Sequence, residues 1–300
     1  MCGIVGLYLK NDGLRPQIGA LFAPMLAAMT ERGPDSAGVA IYRNPAPGTA
    51  IKITLQHDDE RYDWPELAAT LAQALDTEVA VEHLSTHAVI TVDGEEAVVR
   101  AWLARHHPEV RITSVGQVIE IFKEVGLPAQ VIGRFGIERM TGSHVIGHTR
   151  MATESAVTTA GSHPFSTGRD LCLVHNGSLS NHPRLRDWLK RHAGMTFQTE
   201  NDTEVAAAYL TYRLAEGDDL RTALGHALRD LDGFYTFAIG TRDGFAVLRD
   251  PIACKPAVLA ETDDWVAMAS EYRSLADLPG VESAKVWEPA PATIYAWGSA

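Results

Sequence analysis

Among the first residues of the chain, Met1-Cys2-Gly3, a single residue could carry out chemistry. Methionine before a small residue is usually removed, so we expect the mature chain to begin at Cys2. That residue would then combine a nucleophilic thiol with a free α-amine, whose pKa of about 8 allows it to accept a proton at neutral pH. In the alternative interpretation, Cys2 is only an incidental cysteine near the terminus.

Polar residues gather in three later runs, each next to an apolar segment: 147–153, 175–177 and 199–204. Taken singly, each run has a structural explanation. Arg150 could pair with a surface carboxylate, and Asp202 could favour a helix N-terminus through the helix dipole. Asn176 and Gly177 could form only a hairpin turn. Taken jointly with Cys2, however, the runs favour a shared site.

Composition narrows the classes of function. The 300 residues are 46% hydrophobic and 21% charged, which is typical of a globular protein of one large domain or two small ones. The net charge, 26 − 38 = −12, argues against nucleic acid or an anionic membrane as a partner. No apolar run approaches the roughly 20 residues of a membrane span, and no secretory signal is evident. We therefore expect a cytoplasmic protein.

Cysteine usage leads to the same expectation. The three cysteines, Cys2, Cys172 and Cys254, are too far apart to predict a disulfide framework or a pair of metal ligands. Sparse cysteines fit a reducing cytoplasm, which a nucleophilic thiol requires. We expect no metal site in this chain.

The elements that would position Cys2 come at the start of the chain. Residues 4–9 form a continuous apolar run that predicts a buried strand. A helix begins near Pro16 and repeats its apolar residues at three- and four-residue spacing. It ends at the loop 32–38 (Arg-Gly-Pro-Asp-Ser-Ala-Gly), and residues 39–42 predict a second strand.

Residues 43–142 have a different pattern and contain no catalytic motif. Within them we expect strands at 51–55 and 88–92 and helices at 65–75, 95–106 and 115–125. This small α/β segment has apolar faces of its own. We therefore interpret it as an insertion or subdomain.

The C-terminal part alternates strands and helices again. The strand that ends at Asn176 would direct Cys172 into a core as a small hydrophobic residue. A helix opens at residues 199–204 with Thr203 as its expected cap. Further elements are expected at 220–231 (helix), 234–239 and 245–248 (hairpin), and 257–259 and 265–269 (strands).

Together, these runs resemble the class II glutamine amidotransferases, the cysteine branch of the N-terminal-nucleophile hydrolases. The matching runs are Cys2-Gly3-Ile4-Val5-Gly6, Arg32-Gly33-Pro34-Asp35-Ser36-Ala37-Gly38, Gly147-His148-Thr149-Arg150, Ala152-Thr153, His163-Pro164, His175-Asn176-Gly177 and Asp202-Thr203-Glu204. Weaker matches are Leu231-Asp232-Gly233, Arg249-Asp250-Pro251 and Ala269-Ser270-Glu271. The resemblance covers nearly the whole chain except residues 43–142.

The resemblance implies an α+β fold with four αββα layers, in which two antiparallel sheets pack face to face between helices. It also implies hydrolysis of L-glutamine to L-glutamate and ammonia. By the same resemblance, Cys2 is the nucleophile with its α-amine as base. The Asn176 side chain and the Gly177 N–H would form the oxyanion hole, which a poor electrophile such as a carboxamide requires.

The resemblance also assigns the residues that would hold glutamine. Arg150 would bind the α-carboxylate through its fork of donors and Asp202 the α-ammonium, a pair that would reject peptides and other amides. Thr153 and Arg32 would also contact the substrate, and Arg32 begins the loop that closes over the terminus. The chain departs from the family at Met151, where tryptophan is common, and at residues 154–155, where the family often continues His-Gly.

Most members of this family continue into an acceptor domain, whereas this sequence ends at residue 300. We therefore expect the ammonia acceptor on separate synthase subunits, as in glutamate-synthase-like enzymes, with N-methylglutamate synthase as the favoured member. Those partners would carry flavin and iron–sulfur centres. This chain would carry no cofactor, since three distant cysteines cannot build a four-cysteine cluster.

Two other functions stay open. The chain could be a self-sufficient N-terminal-cysteine amide hydrolase, although Arg150 and Asp202 would specify a free amino acid. It could also be a non-catalytic interaction subunit with the same fold, although Cys2, Asn176 and Arg150 are all intact. The sequence does not distinguish the acceptor, the stoichiometry or the role of residues 43–142.

Overall fold

The computed structural model describes residues 2–152 and 156–299. In that part of the chain the strands are β1 (Gly3–Leu9), β2 (Ser36–Tyr42), β3 (Ile51–Gln56), β4 (Val79–Leu84), β5 (His87–Val92), β6 (Arg111–Gly116), β7 (Ile119–Val125), β8 (His144–Arg150), β9 (Phe165–Gly168), β10 (Leu171–Leu179), β11 (Gly233–Thr241), β12 (Gly244–Arg249), β13 (Val258–Glu261), β14 (Trp265–Ala269), β15 (Lys285–Trp287) and β16 (Ile294–Gly298). The helices are α1 (Ile18–Ala27), α2 (Trp64–Leu75), α3 (Glu96–His106), α4 (Pro128–Phe135), α5 (His182–Ala193), α6 (Asp202–Ala215) and α7 (Leu220–Asp230). Short 3-10 turns occur at Asp12–Gln17, Ile137–Arg139, Tyr272–Leu275 and Val281–Ser283.

Two antiparallel sheets form the body of the protein. The first has seven strands in the order β15-β13-β14-β1-β8-β2-β7, and the second has five in the order β16-β12-β11-β10-β9. β1 lies at the centre of the first sheet, with Gly3 opposite Thr149 of β8 and Val5 opposite Ala269 of β14. The strand that begins directly after Cys2 is therefore held on both sides.

The two sheets pack face to face through a shared apolar core that includes Ile4 from β1 and Phe245 from β12. On the outer faces, α1 and α4 cover the seven-stranded sheet, and α5, α6 and α7 cover the five-stranded sheet. β1 is apolar on both faces because Ile4 faces the other sheet while Val5 and Leu7 face the helices. Each such fully buried aliphatic side chain contributes about 1.5–3 kcal/mol to stability. The predicted αββα arrangement is confirmed.

A third antiparallel sheet, in the order β4-β5-β3-β6, packs with α2 and α3 around a core of its own. These elements lie within residues 43–142, and the interpretation of that range as an insertion stays a prediction. Not all of the range belongs to the third sheet. β7 pairs with β2 in the seven-stranded sheet, and α4 packs in the helix layer that covers it.

The helix predicted at residues 115–125 is wrong, because the structure has the end of β6, a turn and β7 there. The segment is rich in valine and isoleucine, which favour strands. The Asp170 carboxylate fixes the turn by accepting the N–H groups of Gln117, Val118 and Ile119 at 2.9–3.1 Å. Pairing of β7 with β2 along its whole length then decides the conformation.

Other differences from the expected elements are smaller. The strands β4, β9, β15 and β16 and the helices α4 and α5 were not predicted, and the cap of α6 is Asn201, whose side chain accepts the N–H of Thr203. The strands expected at 4–9, 39–42, 51–55 and 88–92 are confirmed, as are the helices expected at 65–75 and 95–106. Within the residues described, the helices are too short or too polar to cross a lipid bilayer.

Candidate active site

Cys2 lies at the open end of the central strand of the seven-stranded sheet. Because β1 pairs with β8, its thiol falls beside Met151, the residue that follows β8. The Met151 N–H points at Cys2 Sγ at 3.5 Å, and Sγ lies 3.8 Å from the Met151 carbonyl oxygen. The side chain is half-buried. A sulfur that is partly accessible and accepts a hydrogen bond from an N–H group has surroundings suited to a nucleophile.

Two side chains hold the backbone of the same residue. The Cys2 carbonyl oxygen accepts a hydrogen bond from Arg32 Nε at 2.9 Å and another from Asn176 Nδ2 at 3.1 Å. The other arm of Arg32 donates to Glu271 Oε1 at 2.9 Å. The structure therefore brings together three of the predicted residues, Cys2, Arg32 and Asn176. Arg32 contacts the terminal residue itself, and its predicted contact with substrate stays a prediction.

The orientation of the Asn176 amide follows from its neighbours. Asn176 Oδ1 lies 3.1 Å from His148 Nε2, which also lies 3.1 Å from the His175 carbonyl oxygen. Burial lowers the pKa of His148 to about 3 despite these two contacts, so the ring is neutral and has one N–H. A carbonyl can only accept, so that hydrogen is assigned to Nε2. Asn176 therefore presents its oxygen to His148 and its NH₂ group to Cys2.

Gly177 follows on the same strand and can only be glycine. Its φ is +141°, and an added Cβ would lie 1.9 Å from the carbonyl oxygen of Phe234. β10 continues through this point, with Asn176 opposite Thr236 and Gly177 opposite Tyr235 on β11. The alternative in which Asn176 and Gly177 form only a hairpin turn is therefore wrong.

Arg150 is the last residue of β8 and is 7% exposed. Its Nη1 lies 3.4 Å from the carbonyl oxygen of Ala156. The next residue, Met151, contacts the Cys2 thiol, so Arg150 is one residue away from a direct neighbour of Cys2. Thr153 lies outside the described residues.

Asp202 is the first residue of α6, where the helix dipole favours a negative charge. Its Oδ2 accepts the N–H of Leu179 at 2.9 Å, and its Oδ1 lies 3.6 Å from His175 Nδ1. Burial alone would raise the pKa of this carboxyl, but the contacts with His175 and the Leu179 N–H outweigh it and lower the pKa to about 2. Asp202 is therefore a partly buried carboxylate, able to pair with a cation.

A group of three buried histidines, His148, His163 and His175, connects Asn176 with Asp202. The rings of His148 and His163 stack at 3.9 Å, and the His175 N–H points at His163 Nδ1 at 3.4 Å. His175 in turn faces Asp202. Sequence reasoning assigned these histidines no role, although each lies in one of the matching runs, and that position was the available signal.

In the residues described, no three His, Cys, Asp or Glu side chains are grouped as metal ligands would be. The groups around Cys2 are instead hydrogen-bond donors and a carboxylate: the Asn176 amide, the Arg32 guanidinium, the Met151 N–H and, beyond His175, Asp202. Such a set is suited to acyl transfer from a small amide. The individual roles predicted for these residues stay predictions.

Comparisons with known proteins lead to the same chemistry. A family described as "Glutamine amidotransferase domain" matches residues 148–277. The chain is 59% identical over 299 residues to "Glutamine amidotransferase-like protein GlxB" of Rhizobium meliloti (strain 1021), covering 99% of this chain and 98% of that protein. It is 31% identical over 313 residues to "Putative glutamine amidotransferase" of Methanothermobacter thermautotrophicus, covering 98% and 99% of the two chains.

Solved structures share the fold. Glutamine phosphoribosylpyrophosphate amidotransferase from B. subtilis superposes with a TM-score of 0.61 at 19% identity, over 98% of this chain and 47% of that one. The allosteric regulatory enzyme of purine biosynthesis gives a TM-score of 0.62 at 20% identity, over 98% and 46%. The chain spans about half the length of these two proteins. By its full-length relatives and its αββα layers, the chain belongs to the glutamine amidotransferase family and has the fold of the class II, N-terminal-nucleophile branch.

Proposed function

We propose that this chain is the glutaminase subunit of a multi-subunit amidotransferase. It hydrolyses L-glutamine to L-glutamate and ammonia and supplies the ammonia to an acceptor on a partner subunit, as in an N-methylglutamate synthase. The observation that carries the proposal is the arrangement around Cys2: the thiol lies at the Met151 N–H, while Arg32 and Asn176 hold the carbonyl of the same residue.

The chemistry needs one nucleophile and one base. After removal of Met1, the α-amine of Cys2 takes the thiol proton, and the thiolate attacks the side-chain carbonyl carbon of glutamine. The C–S bond forms and negative charge develops on the carbonyl oxygen. The C–N bond then breaks, and the amide nitrogen leaves as ammonia with the proton from the α-ammonium. Water attacks the resulting thioester while the amine accepts its proton. The C–S bond then breaks, the α-ammonium returns the proton to the sulfur, and glutamate leaves.

The oxyanion in this scheme is held by Asn176 Nδ2 and the Gly177 N–H. Both Nδ2 hydrogens have partners in the structure, the Cys2 carbonyl oxygen at 3.1 Å and Ser270 Oγ at 3.2 Å. Binding of the oxyanion therefore requires one of these bonds to be exchanged. The contact with Ser270 is the longer, and its oxygen has a second donor in the Ile4 N–H at 2.9 Å. We expect that contact to be the one given up.

Selection of a free amino acid falls to two charged residues. Arg150 binds the α-carboxylate through its planar fork, and Asp202, whose low pKa keeps it ionised, binds the α-ammonium. Thr153 contacts the substrate in the same scheme. A peptide amide lacks this pair of opposite charges and would leave both residues unpaired. Glutamine is therefore the preferred substrate.

The partner subunit is supported by the lengths of the relatives. Two proteins with amidotransferase names match along nearly their whole length, 98% and 99%. By contrast, the chain covers 40% of an amidophosphoribosyltransferase of Archaeoglobus fulgidus, to which it is 31% identical over 186 residues. An amidotransferase gains from releasing ammonia only beside the site that accepts it, and in this proposal that site is on the partner subunit. Flavin and iron–sulfur centres, where present, belong to that subunit.

One experiment tests the hydrolytic part. The purified chain is treated with a glutamine-analogue electrophile and analysed by intact-mass and peptide mass spectrometry. We expect loss of Met1 and one label, on Cys2, with protection by excess glutamine. Cys172 is the internal control. Labelling of Cys172 or Cys254 in place of Cys2 would contradict the assignment.

A second experiment tests the subunit. Pull-down of the tagged chain from its host, followed by reconstitution, should recover synthase subunits and show that they raise glutaminase activity. Full glutaminase activity without any partner, together with recovery of none, would favour a self-sufficient hydrolase instead.

A further inference from the structure

The dipeptide Ser270-Glu271 directly follows β14 and lies beside the start of β1. Ser270 exchanges two hydrogen bonds with Ile4: the Ser270 N–H donates to the Ile4 carbonyl oxygen at 2.9 Å, and the Ile4 N–H donates to Ser270 Oγ at 2.9 Å. Ser270 Oγ also accepts from Asn176 Nδ2 at 3.2 Å. One buried hydroxyl therefore contacts both the strand behind Cys2 and the amide in front of it.

Glu271 reaches the same terminus through Arg32. Its Oε1 accepts from Arg32 Nη1 at 2.9 Å, and Arg32 Nε donates to the Cys2 carbonyl oxygen at 2.9 Å. Arg32 is 9% exposed, so this guanidinium is largely removed from solvent and depends on Glu271 for its orientation. Both Arg32 Nε and Arg32 Nη1 therefore donate to protein groups.

A chain terminus needs such restraint more than an internal residue does. The first residues of most domains fray unless side chains tie them down. A nucleophile must approach the reacting carbon to about 3–3.5 Å in the right direction, and an error of 1 Å can cost about a hundredfold in rate. Once Met1 is removed, Cys2 has a chain neighbour on only one side. Its position therefore depends on its carbonyl and on Ile4.

We propose that Ser270 and Glu271 are positioning residues for the nucleophile: Glu271 holds the Cys2 carbonyl through Arg32, and Ser270 holds Ile4 and, until the oxyanion forms, the Asn176 amide. The proposal rests on the proposed role of Cys2. Neither residue reacts. The hydrogen bond from Arg32 lowers the pKa of Glu271, which makes it a poor base.

The main test compares a variant of Glu271 with a variant of Arg273, a second partner of the Glu271 carboxylate. Glu271→Gln keeps the size of the side chain but weakens the hold on Arg32. Arg273→Gln is the matched control, because Arg273 Nε also lies 2.7 Å from Glu271 but Arg273 has no bond to the Cys2 carbonyl among those found. We expect Glu271→Gln to lower kcat and the labelling rate of Cys2 about tenfold, with KM for glutamine within about twofold. Arg273→Gln should change neither by more than about twofold.

The outcomes separate this proposal from the proposed function. Absence of Cys2 labelling in the wild-type chain would overturn the function itself. Normal labelling of the wild type with an equal rate in Glu271→Gln would overturn only the positioning role. An effect of Glu271→Gln confined to KM would also overturn it, since positioning of the nucleophile acts on the reaction step.

A measurement independent of activity tests Ser270. Ser270→Ala removes the acceptor of the Ile4 N–H, so hydrogen exchange at Ile4 should become at least about tenfold faster. Ser270→Thr keeps a hydroxyl and should restore slow exchange. Ser274→Ala is the control, because the Ser274 hydroxyl is buried without a hydrogen-bond partner among the described residues. Equal exchange at Ile4 in Ser270→Ala and wild type would overturn the role of Ser270, and so would faster exchange throughout the seven-stranded sheet.

Discussion

Cys2 and Cys172 are thiols of one chain in opposite surroundings. Cys172 is fully buried between the two sheets, where Tyr42 Oη donates to its sulfur at 3.4 Å and burial raises its pKa to about 11. Cys2 is half-buried at the end of β1, with the Met151 N–H at its sulfur. Yet Asn176, which bonds the Cys2 carbonyl, is on β10 only four residues after Cys172 and on the same face. A single strand therefore passes from the apolar core to the site, and position along it decides what a polar residue can do.

The largest expected effect is on Cys2 itself. Cys2→Ala removes the nucleophile and should reduce glutamine hydrolysis to background, because no other described thiol lies at the donors of the site. The substitution is small and half-buried, so we expect the melting temperature to change by no more than a few degrees. Glutaminase assay and calorimetry check both points. Substantial residual hydrolysis would mean that the two cysteines differ less than their surroundings suggest.

The next largest effect is expected at Asn176, which is on the same strand as Cys172. Asn176→Ala should lower kcat by roughly 10²–10³, the usual loss for one oxyanion donor, with a smaller effect on KM. Asn181→Ala is the control, because this half-buried asparagine, two residues after the same strand ends, bonds Asp230 and Asp232 and not Cys2; its kcat should remain near wild type. Steady-state kinetics measure this. A change of KM alone would indicate that Asn176 binds substrate without stabilising the transition state.

A smaller effect, on KM for glutamine, is expected at Arg150 and Asp202. Arg150→Lys keeps the charge but loses the planar fork, and Asp202→Asn removes the charge opposite the ammonium. We expect KM for glutamine to rise about 10- to 100-fold in each, the value of a charged hydrogen bond. In a reconstituted complex both variants should lose glutamine-driven synthesis yet keep synthesis from free ammonia, which needs neither residue. Loss of both reactions would indicate a folding defect.

The smallest effect on activity is expected at the other end of β10. Cys172→Ala leaves the site untouched, so glutamine hydrolysis should remain within about twofold of wild type. The lost contact with Tyr42 and the small cavity should instead lower the free energy of unfolding by about 1 kcal/mol. Denaturant titration measures the loss. With thiol reagents at pH 7–8, Cys172 should react only after unfolding, since its raised pKa and burial both protect it.

Much of the site could be predicted from the sequence because its parts lie at the ends of strongly apolar strands. β1 is a continuous apolar run, β8 and β10 contain shorter ones (residues 145–146 and 171–174), and Cys2, Arg150 and Asn176 stand at or near the ends of these strands. The contacts between these residues could not be predicted. Arg32 and Glu271 are 239 positions apart, and their pairing depends on which strands lie next to β1. The predicted helix at 115–125 failed for the same reason, since its conformation is decided by β2 and by Asp170.

The central place of β1 has a consequence for synthesis of the protein. Gly3 pairs with Thr149 and Val5 with Ala269, so β1 must wait for partner strands that are made much later. Pairings this distant in sequence make folding slow and postpone it until most of the chain exists. During that interval β1 is unpaired, which would leave the terminus accessible for the removal of Met1 that the proposed mechanism requires. The thiol that we propose as the nucleophile would therefore be exposed before its surroundings exist, and it would acquire them only after β8 and β14 are made.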